Sequence, residues 1–213
     1  MRKTERVQHI REIFDHVYPD VQCSLNYENP VQMLIATQLS AQCTDARVNI
    51  VTKELFKRYR TAEDFANADI LELQDYIRSA GFYKNKSKNI IACCQRLVEV
   101  YEGEVPDNMD ALLTLAGTGR KTANLILGDI FHQPAVVVDT HCIRLSNRIG
   151  LVKDKDPVKI EFALKKIIPE DYQSRFCHQL VYHGRRICNA RSPKCEICEI
   201  QEYCHKIGVK GGK

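Results

Sequence analysis

Apolar residues recur three or four positions apart along most of the chain, which is the period of an amphipathic helix. The pattern predicts helices whose apolar faces carry these groups of residues: Val7, Ile10, Phe14 and Val17; Val48, Val51, Leu55 and Tyr59; Ile70, Leu73 and Ile77; Ile90, Ile91, Cys94, Leu97, Val98 and Tyr101; Tyr172, Phe176, Leu180 and His183. Helix starts are predicted at Thr61, three residues before Asp64, and at Asp107, three residues before Asp110. The only β-like run is residues 135–138, and the pattern offers no second strand to pair with it. The sequence therefore predicts an all-α protein.

Composition and charge leave a wide choice of partners. The 213 residues are 44% hydrophobic and 27% charged with a net charge of +4, as in a globular, mildly basic protein that could bind a polyanion. The N-terminal segment reads as an amphipathic helix rather than a signal peptide, and no apolar run is long enough for a membrane span. We expect a soluble, cytoplasmic monomer. In a reducing compartment, ten cysteines favour metal binding or buried thiols over disulfides.

A glycine turn between two helices is the first candidate for binding chemistry. The segment Leu115-Ala116-Gly117-Thr118-Gly119 precedes the run RKTANLIL. This order predicts a hairpin of two helices joined by a glycine turn. The amides of such a turn, together with the N-terminus of the second helix, can bind an anion such as a DNA phosphate. The same pattern also occurs in plain helix–helix packing, so the turn alone leaves both interpretations open.

Lys121 and Asp139 are the candidates for catalysis. Lys121 lies where the second hairpin helix begins, a position at which the helix dipole disfavours a cation. A neutral amine there would be a nucleophile, and we expect a partly buried pocket to favour the neutral form. Asp139, in VVVDTH, could cap a helix or could stabilise positive charge that develops on a sugar.

A run of four cysteines near the C-terminus predicts a metal centre. Cys188, Cys195, Cys198 and Cys204 have the spacing C-x6-C-x2-C-x5-C, which suits one zinc ion or one iron–sulfur cluster. The loop between the first two cysteines carries Arg191 and Lys194, two cations that could contact phosphate or could be ordinary solvated residues. The remaining six cysteines are expected to be small core residues.

Five segments in collinear order resemble the endonuclease III family of helix-hairpin-helix DNA glycosylases. They are LAGTGRKTAN, VDTH, the cysteine run, LIATQLSAQCTD and GFYKNKSKNI. The resemblance covers nearly the whole chain and implies an all-α fold with a cleft between two domains. A six-helix barrel would span residues 22–134, with the helix-hairpin-helix at about 107–127. An iron–sulfur domain would comprise residues 1–21 plus 135–213, with the cluster loop at 188–204.

The resemblance also implies an activity: base excision repair of duplex DNA that contains damaged pyrimidines or abasic sites. As a bifunctional enzyme, the protein would release an oxidised pyrimidine as a DNA N-glycosylase and then act as an AP lyase. Lys121 aligns with the family's Schiff-base nucleophile and Asp139 with its carboxylate, and the four cysteines would hold one [4Fe–4S] cluster. The expected DNA contacts are Gln42, Phe82, Gly117, Gly119, Arg120, Arg191 and Lys194. The resemblance implies that Gln42 and Phe82 wedge into the duplex. The alternative for Gln42 is a structural role in a capped loop, and the alternative for Phe82 is ordinary core packing.

Three positions depart from the family pattern. The hairpin lysine, in contrast, follows it and helps to choose between the alternative activities. Ala116 and Thr118 replace the usual proline and valine of the hairpin, and Phe82 replaces a leucine. We expect Ala116 to loosen the turn and Thr118 to place a hydroxyl near the phosphate. Adenine-excising and thymine-excising relatives generally lack the hairpin lysine, so both are weaker interpretations. A non-catalytic DNA-binding module that holds zinc is the alternative from a different functional class.

Overall fold

The protein is all-helical. The computed structural model describes residues 1–209, and within that range the chain forms eleven α-helices and no strand. They are α1 (Lys3–Val17), α2 (Pro30–Leu39), α3 (Asp45–Arg58), α4 (Ala62–Ala66), α5 (Ile70–Ile77), α6 (Tyr83–Tyr101), α7 (Met109–Leu113), α8 (Arg120–Asp129), α9 (Thr140–Ile149), α10 (Pro157–Lys165) and α11 (Gln173–Arg186). The predicted all-α class is confirmed.

The chain divides into two compact units. One unit is Cys23–Phe131, and the other combines Met1–Gln22 with His132–Lys213. The last four residues of the expected iron–sulfur domain, 210–213, lie outside the described residues. None of the described helices is both long and apolar enough to cross a membrane.

In the unit Cys23–Phe131, the central helix is α2. Asn29 caps its N-terminus by accepting a hydrogen bond from the Gln32 amide, and Pro30 occupies the first helical position, where its missing N–H costs nothing. Every residue from Val31 to Leu39 is buried, and the helix packs against α3, α6 and α8. Because α2 is mostly apolar and is buried on all sides, its neighbours must surround it, and this fixes the position of the hairpin helix α8.

The second unit is built around α9 and α11, which pack against each other. Its core contains Phe14 of α1, Leu145 of α9 and Phe176 of α11, all fully buried. The segment that leads into α9, residues 135–138, is buried without forming a strand. Four of the six remaining cysteines are buried as expected (Cys93, Cys94, Cys142 and Cys177), whereas Cys23 and Cys43 are half-buried.

Of the two predicted helix starts, one is confirmed and one is wrong. Thr61 caps α4, and its hydroxyl and the Asp64 carboxylate exchange hydrogen bonds with each other's backbone amides. At the second position α7 begins one residue later than predicted. Asn108, not Asp107, is the cap, because its side-chain oxygen accepts the Ala111 amide at 2.9 Å.

Candidate functional site

The hairpin turn between α7 and α8 needs glycine at Gly117. This residue has φ +75°, and an added Cβ would lie 3.0 Å from Gln38 Oε1 and 3.1 Å from Asn89 Cβ. Gln38, which is buried in α2, donates a hydrogen bond to the Ala116 carbonyl at 3.1 Å. Gly117 therefore satisfies both a backbone and a packing requirement of the turn.

Gly119 needs glycine neither for its backbone conformation nor for its packing. Its φ is −98°, which any residue can adopt, and an added Cβ would have no neighbour within 4 Å. It is the N-cap of α8, and no side chain caps this helix end. The first amides of α8 therefore lack an intrahelical acceptor and adjoin open space, beside the partly exposed Arg120. This geometry suits the approach of an anion.

Two expectations about the hairpin side chains are wrong. Thr118 is buried, and its hydroxyl lies 3.5 Å from Gln38 Nε2, so it turns toward α2 instead of presenting a hydroxyl beside the anion site. Lys121, the second residue of α8, is exposed rather than partly buried. The buried face of α8 begins with the next residue, Thr122, so helix geometry directs Lys121 to solvent. Any burial of its amine must come from a bound partner.

Asp139 is the N-cap of α9. One of its two carboxylate oxygens accepts the Cys142 amide at 2.7 Å, and the residue is half-buried. The capping interpretation of this residue is therefore correct. The catalytic interpretation stays a prediction, because the capping bond uses one carboxylate oxygen and does not test the role of the other.

Gln42 and Phe82 share an unusual backbone conformation. Both are exposed, Phe82 to 62%, and they are two of the five non-glycine residues with positive φ within residues 1–209, at 55° and 50°. A left-handed conformation costs an ordinary residue about 1 kcal/mol or more and is often found at functional sites. Phe82 is not a core residue, so the alternative of ordinary core packing is wrong.

The four cysteines of the C-terminal run line one cavity. Apolar residues complete its wall, among them Leu145, Ile149 and Ile187. Among the described residues, no three or more histidine, cysteine, aspartate or glutamate side chains converge closely enough to hold a single metal ion. A lone zinc ion needs all four sulfurs about 2.3 Å from one point, whereas an iron–sulfur cluster binds thiolates spread around its own volume.

Hydrogen-bond donors surround these sulfurs. Arg148 Nη1 donates to Cys188 Sγ at 3.4 Å, and the Lys206 amide donates to Cys204 Sγ at 3.3 Å. Burial lowers the pKa of His183 to about 4, so its ring is neutral at pH 7, and its Nε2 lies 3.4 Å from Cys198 Sγ. Burial of Cys198 itself raises the pKa of its thiol to about 11. Donors at two of the four cysteine sulfurs, with the His183 ring beside a third, fit an iron–sulfur cluster in this apolar cavity.

Arg191 and Lys194 are exposed on the loop between the first two of these cysteines. Arg148 anchors the start of that loop, since its guanidinium donates to the Asn189 and Ala190 carbonyls, both at 2.7 Å. The loop therefore presents two cations from a fixed base.

Several residues in these sites were not predicted from the sequence. Gln38, Lys86 and Arg148 make long-range hydrogen bonds to backbone groups, and His183 was placed only on a helix face. A glutamine within a largely apolar helical run, as Gln38 is in α2, was the available signal for one of them. The other bonds join segments far apart in sequence, which periodicity cannot reveal.

Comparison with known proteins identifies the family. Residues 35–170 match the HhH-GPD superfamily of base excision DNA repair proteins, and residues 188–204 match the iron–sulfur binding domain of endonuclease III. Endonuclease III of Synechocystis sp. is 48% identical over 203 residues, which is 95% of this chain and 93% of that protein.

Two solved structures have nearly the same fold as this chain. They are a non-covalent endonuclease III–DNA complex and a trapped covalent endonuclease III–DNA intermediate. Each is 42% identical with a TM-score of 0.91, and in each case 97% of both chains is covered. The resemblance noted from the sequence motifs is thus confirmed, as is the expectation of an iron–sulfur cluster. The chain belongs to the endonuclease III family of helix-hairpin-helix base excision DNA repair proteins.

Proposed function

We propose that this protein removes oxidised pyrimidines from duplex DNA and then cleaves the strand at the resulting abasic sugar. The observation that carries the proposal is the uncapped N-terminus of α8, where open space at Gly119 adjoins an exposed lysine. An anion-binding helix end with an amine on its first turn suits a substrate that offers a phosphate next to a reactive sugar. The two solved relatives bind DNA, one of them covalently.

Lys121 is the proposed nucleophile. Its neutral amine attacks C1′ of the deoxyribose, the C1′–N bond to the base breaks, and the base leaves with that electron pair and takes up a proton. The sugar ring then opens to a Schiff base between C1′ and the lysine nitrogen. Loss of a proton from C2′ eliminates the 3′ phosphate, and water hydrolyses the Schiff base to free the lysine. Bound DNA supplies the burial that favours the neutral amine.

Asp139 is proposed to stabilise the positive charge that develops on the sugar as the base departs. A fixed carboxylate does this without reorganising at the moment of reaction. Its capping bond to the Cys142 amide holds the side chain in one rotamer, which suits such a role.

The remaining contacts would hold and bend the duplex. We assign the amides at Gly117 and Gly119, with Arg120, to one phosphate near the lesion. Gln42 and Phe82 would enter the space left by the everted nucleotide, since a base within the stack cannot reach Lys121. The exposure and left-handed backbone of both residues support this assignment.

We propose that the iron–sulfur cluster is a single [4Fe–4S] cluster on Cys188, Cys195, Cys198 and Cys204. It would fold the segment that presents Arg191 and Lys194 to the phosphate backbone. The apolar cavity that all four cysteines line, and the hydrogen-bond donors at Cys188 and Cys204, support this assignment. A protein purified without oxygen should be yellow-brown and contain about four iron and four sulfide per chain. A colourless protein with one zinc would contradict the assignment.

The same proposal covers organisation and location. The unit Cys23–Phe131 would be the helical barrel domain. The other unit, which carries the four cysteines of the C-terminal run, would be the cluster domain. We propose that the protein acts as a cytoplasmic monomer on duplex DNA that contains damaged pyrimidines or abasic sites.

A duplex with one thymine glycol tests the proposal. Wild-type protein should release the damaged base and leave a nick with a β-elimination end, and an identical undamaged duplex should stay intact. Tight binding to the damaged duplex without base release or nicking would instead support the non-catalytic DNA-binding module.

A further inference from the structure

Lys86 is a buried lysine in α6. Only 7% of it is exposed, although Lys84 and Lys88 on the same helix are exposed. Its ammonium donates to the Leu39 carbonyl at 2.7 Å and to the Ala80 carbonyl at 2.9 Å. Burial lowers the pKa of Lys86, as expected for a cation removed from water. Lysine is rarely buried without a specific partner.

The two carbonyls belong to the ends of two different helical segments. Leu39 is the last residue of α2, and Ala80 is the last residue of a short 3₁₀ turn, Arg78–Ala80. Carbonyls at helix ends lack intrahelical donors and carry the negative end of the dipole, so an ammonium satisfies both needs. One side chain therefore joins two segments that are 41 residues apart in sequence.

Each segment leads directly to one of the proposed wedge residues. Gln42 follows Leu39 by three residues, and Phe82 follows Ala80 by two. Both have a left-handed backbone, and both side chains are exposed. A short exposed loop that holds a disfavoured conformation needs support from the structure beneath it. Lys86 is the side chain that contacts the base of both loops.

We propose that Lys86 is a positioning residue: by joining the Leu39 and Ala80 carbonyls, it fixes the separation of Gln42 and Phe82 so that both enter the duplex together. This inference rests on the proposed function of the two wedge residues. Lys86 itself contacts neither DNA nor the reacting sugar. Its loss should therefore impair the step in which duplex DNA is opened and leave the chemistry at Lys121 unchanged.

The test compares Lys86→Met, which keeps the length and apolar stem, with Lys88→Met, which removes the same charge from an exposed position. Two substrates are used: a duplex with one thymine glycol, and a single-stranded oligonucleotide with an abasic site, which requires no wedge. Lys86→Met should slow single-turnover base release from the duplex about tenfold and change borohydride trapping on the single strand less than about twofold. Lys88→Met should change both by less than about twofold.

A double-mutant cycle separates positioning from general stability. In a Gln42→Ala, Phe82→Ala background there is nothing left to position, so Lys86→Met should slow the duplex reaction by less than about twofold more. A full tenfold loss in that background, or no loss in the wild-type background, would overturn the proposal. If Lys86→Met does not fold, Lys86→Gln replaces it in the same cycle with the same criteria. Wild-type protein inactive on both substrates would contradict the proposed function itself.

Discussion

At the residue scale, Lys121 and Asp139 each combine a local structural feature with a proposed reactive role. Lys121 lies in the first turn of α8, where the helix dipole opposes its charge, and it remains exposed. Asp139 lies at the start of α9, where the dipole favours its charge. Local structure alone does not show whether either residue takes part in catalysis. Substitutions are needed to separate the structural role from the reactive one.

Asp139→Asn separates capping from charge. Asparagine caps as well as aspartate, so α9 and the melting temperature should be preserved. Base release from a thymine glycol duplex should fall about a hundredfold or more, because the sugar cation loses its counter-charge, while binding to the lesion persists. Single-turnover kinetics and gel-shift titration measure the two effects.

Asp156→Asn is the matched control, since Asp156 caps α10 through the Lys159 amide at 2.9 Å. It should change neither quantity. Unchanged base release in Asp139→Asn would restrict Asp139 to its role as a cap.

At the element scale, the hairpin assigns its two glycines to different tasks. Gly117 has positive φ and close neighbours, whereas Gly119 has an extended backbone and open space around it. The turn is therefore fixed at one glycine and left accessible at the other.

Alanine at each glycine tests this division. Gly117→Ala should lower the free energy of unfolding by about 1–2 kcal/mol, because it strains the backbone and approaches Gln38. Gly119→Ala should leave stability unchanged but weaken binding to an abasic duplex, since its methyl group would occupy the place of the phosphate. Urea unfolding and binding titrations measure the pair. Equal stability losses in both variants would contradict the division.

A carboxylate in α1 predicts how stability depends on pH. Burial acts to raise the pKa of Asp15, but hydrogen bonds from Tyr172, Arg175 and Gln179 outweigh it and lower that pKa. Because the folded-state pKa is depressed, the stabilisation is complete above the unfolded value of about 3.9 and is lost as the pH falls through the folded value.

Because the Asp15 side chain is 38% exposed and water screens its charge, Asp15→Asn should cost only about 0.5–1 kcal/mol at pH 7 and progressively less below about pH 4. Urea unfolding at several pH values measures the difference from wild type, with Asp20→Asn, an exposed site shortly after α1, as control. A difference that stays constant down to about pH 2 would show that the carboxylate charge is not the cause.

The sequence predicted helices well and side-chain contacts poorly, for a physical reason. The stripe Val48, Val51, Leu55 and Tyr59 is buried as predicted, because burial of one helix face follows from local periodicity. Thr118 was expected beside the phosphate, but Gln38, 80 residues away, holds it in the interior. Lys86 gave no signal in the sequence, because both of its partners are backbone carbonyls. Interactions of that kind depend on the tertiary fold.

At the scale of the whole molecule, a net charge of +4 provides only a modest attraction for DNA, so the placement of the cations decides binding. Arg191 and Lys194 are exposed on the loop anchored by Arg148, and neither forms an ion pair within the described residues. Binding through such cations releases counterions from the DNA and weakens as salt rises.

Replacing both cations tests the role of the loop. Arg191→Ala, Lys194→Ala should weaken binding to damaged and undamaged duplexes alike, and the plot of log affinity against log salt should be shallower by about 1 for each phosphate that is no longer neutralised. Fluorescence anisotropy over a salt series measures both, with Lys159→Ala, Lys166→Ala, two exposed lysines on α10 and its end, as control. An unchanged slope would remove the loop from the DNA interface.

The most direct test of the account is borohydride trapping on a thymine glycol duplex, followed by peptide mapping of the adduct. We expect a covalent protein–DNA complex with wild type and with Lys53→Ala, which changes an exposed lysine of α3, and none with Lys121→Ala. The modified peptide should contain Lys121. Equal trapping by Lys121→Ala, or an adduct mapped to another residue, would contradict the central claim.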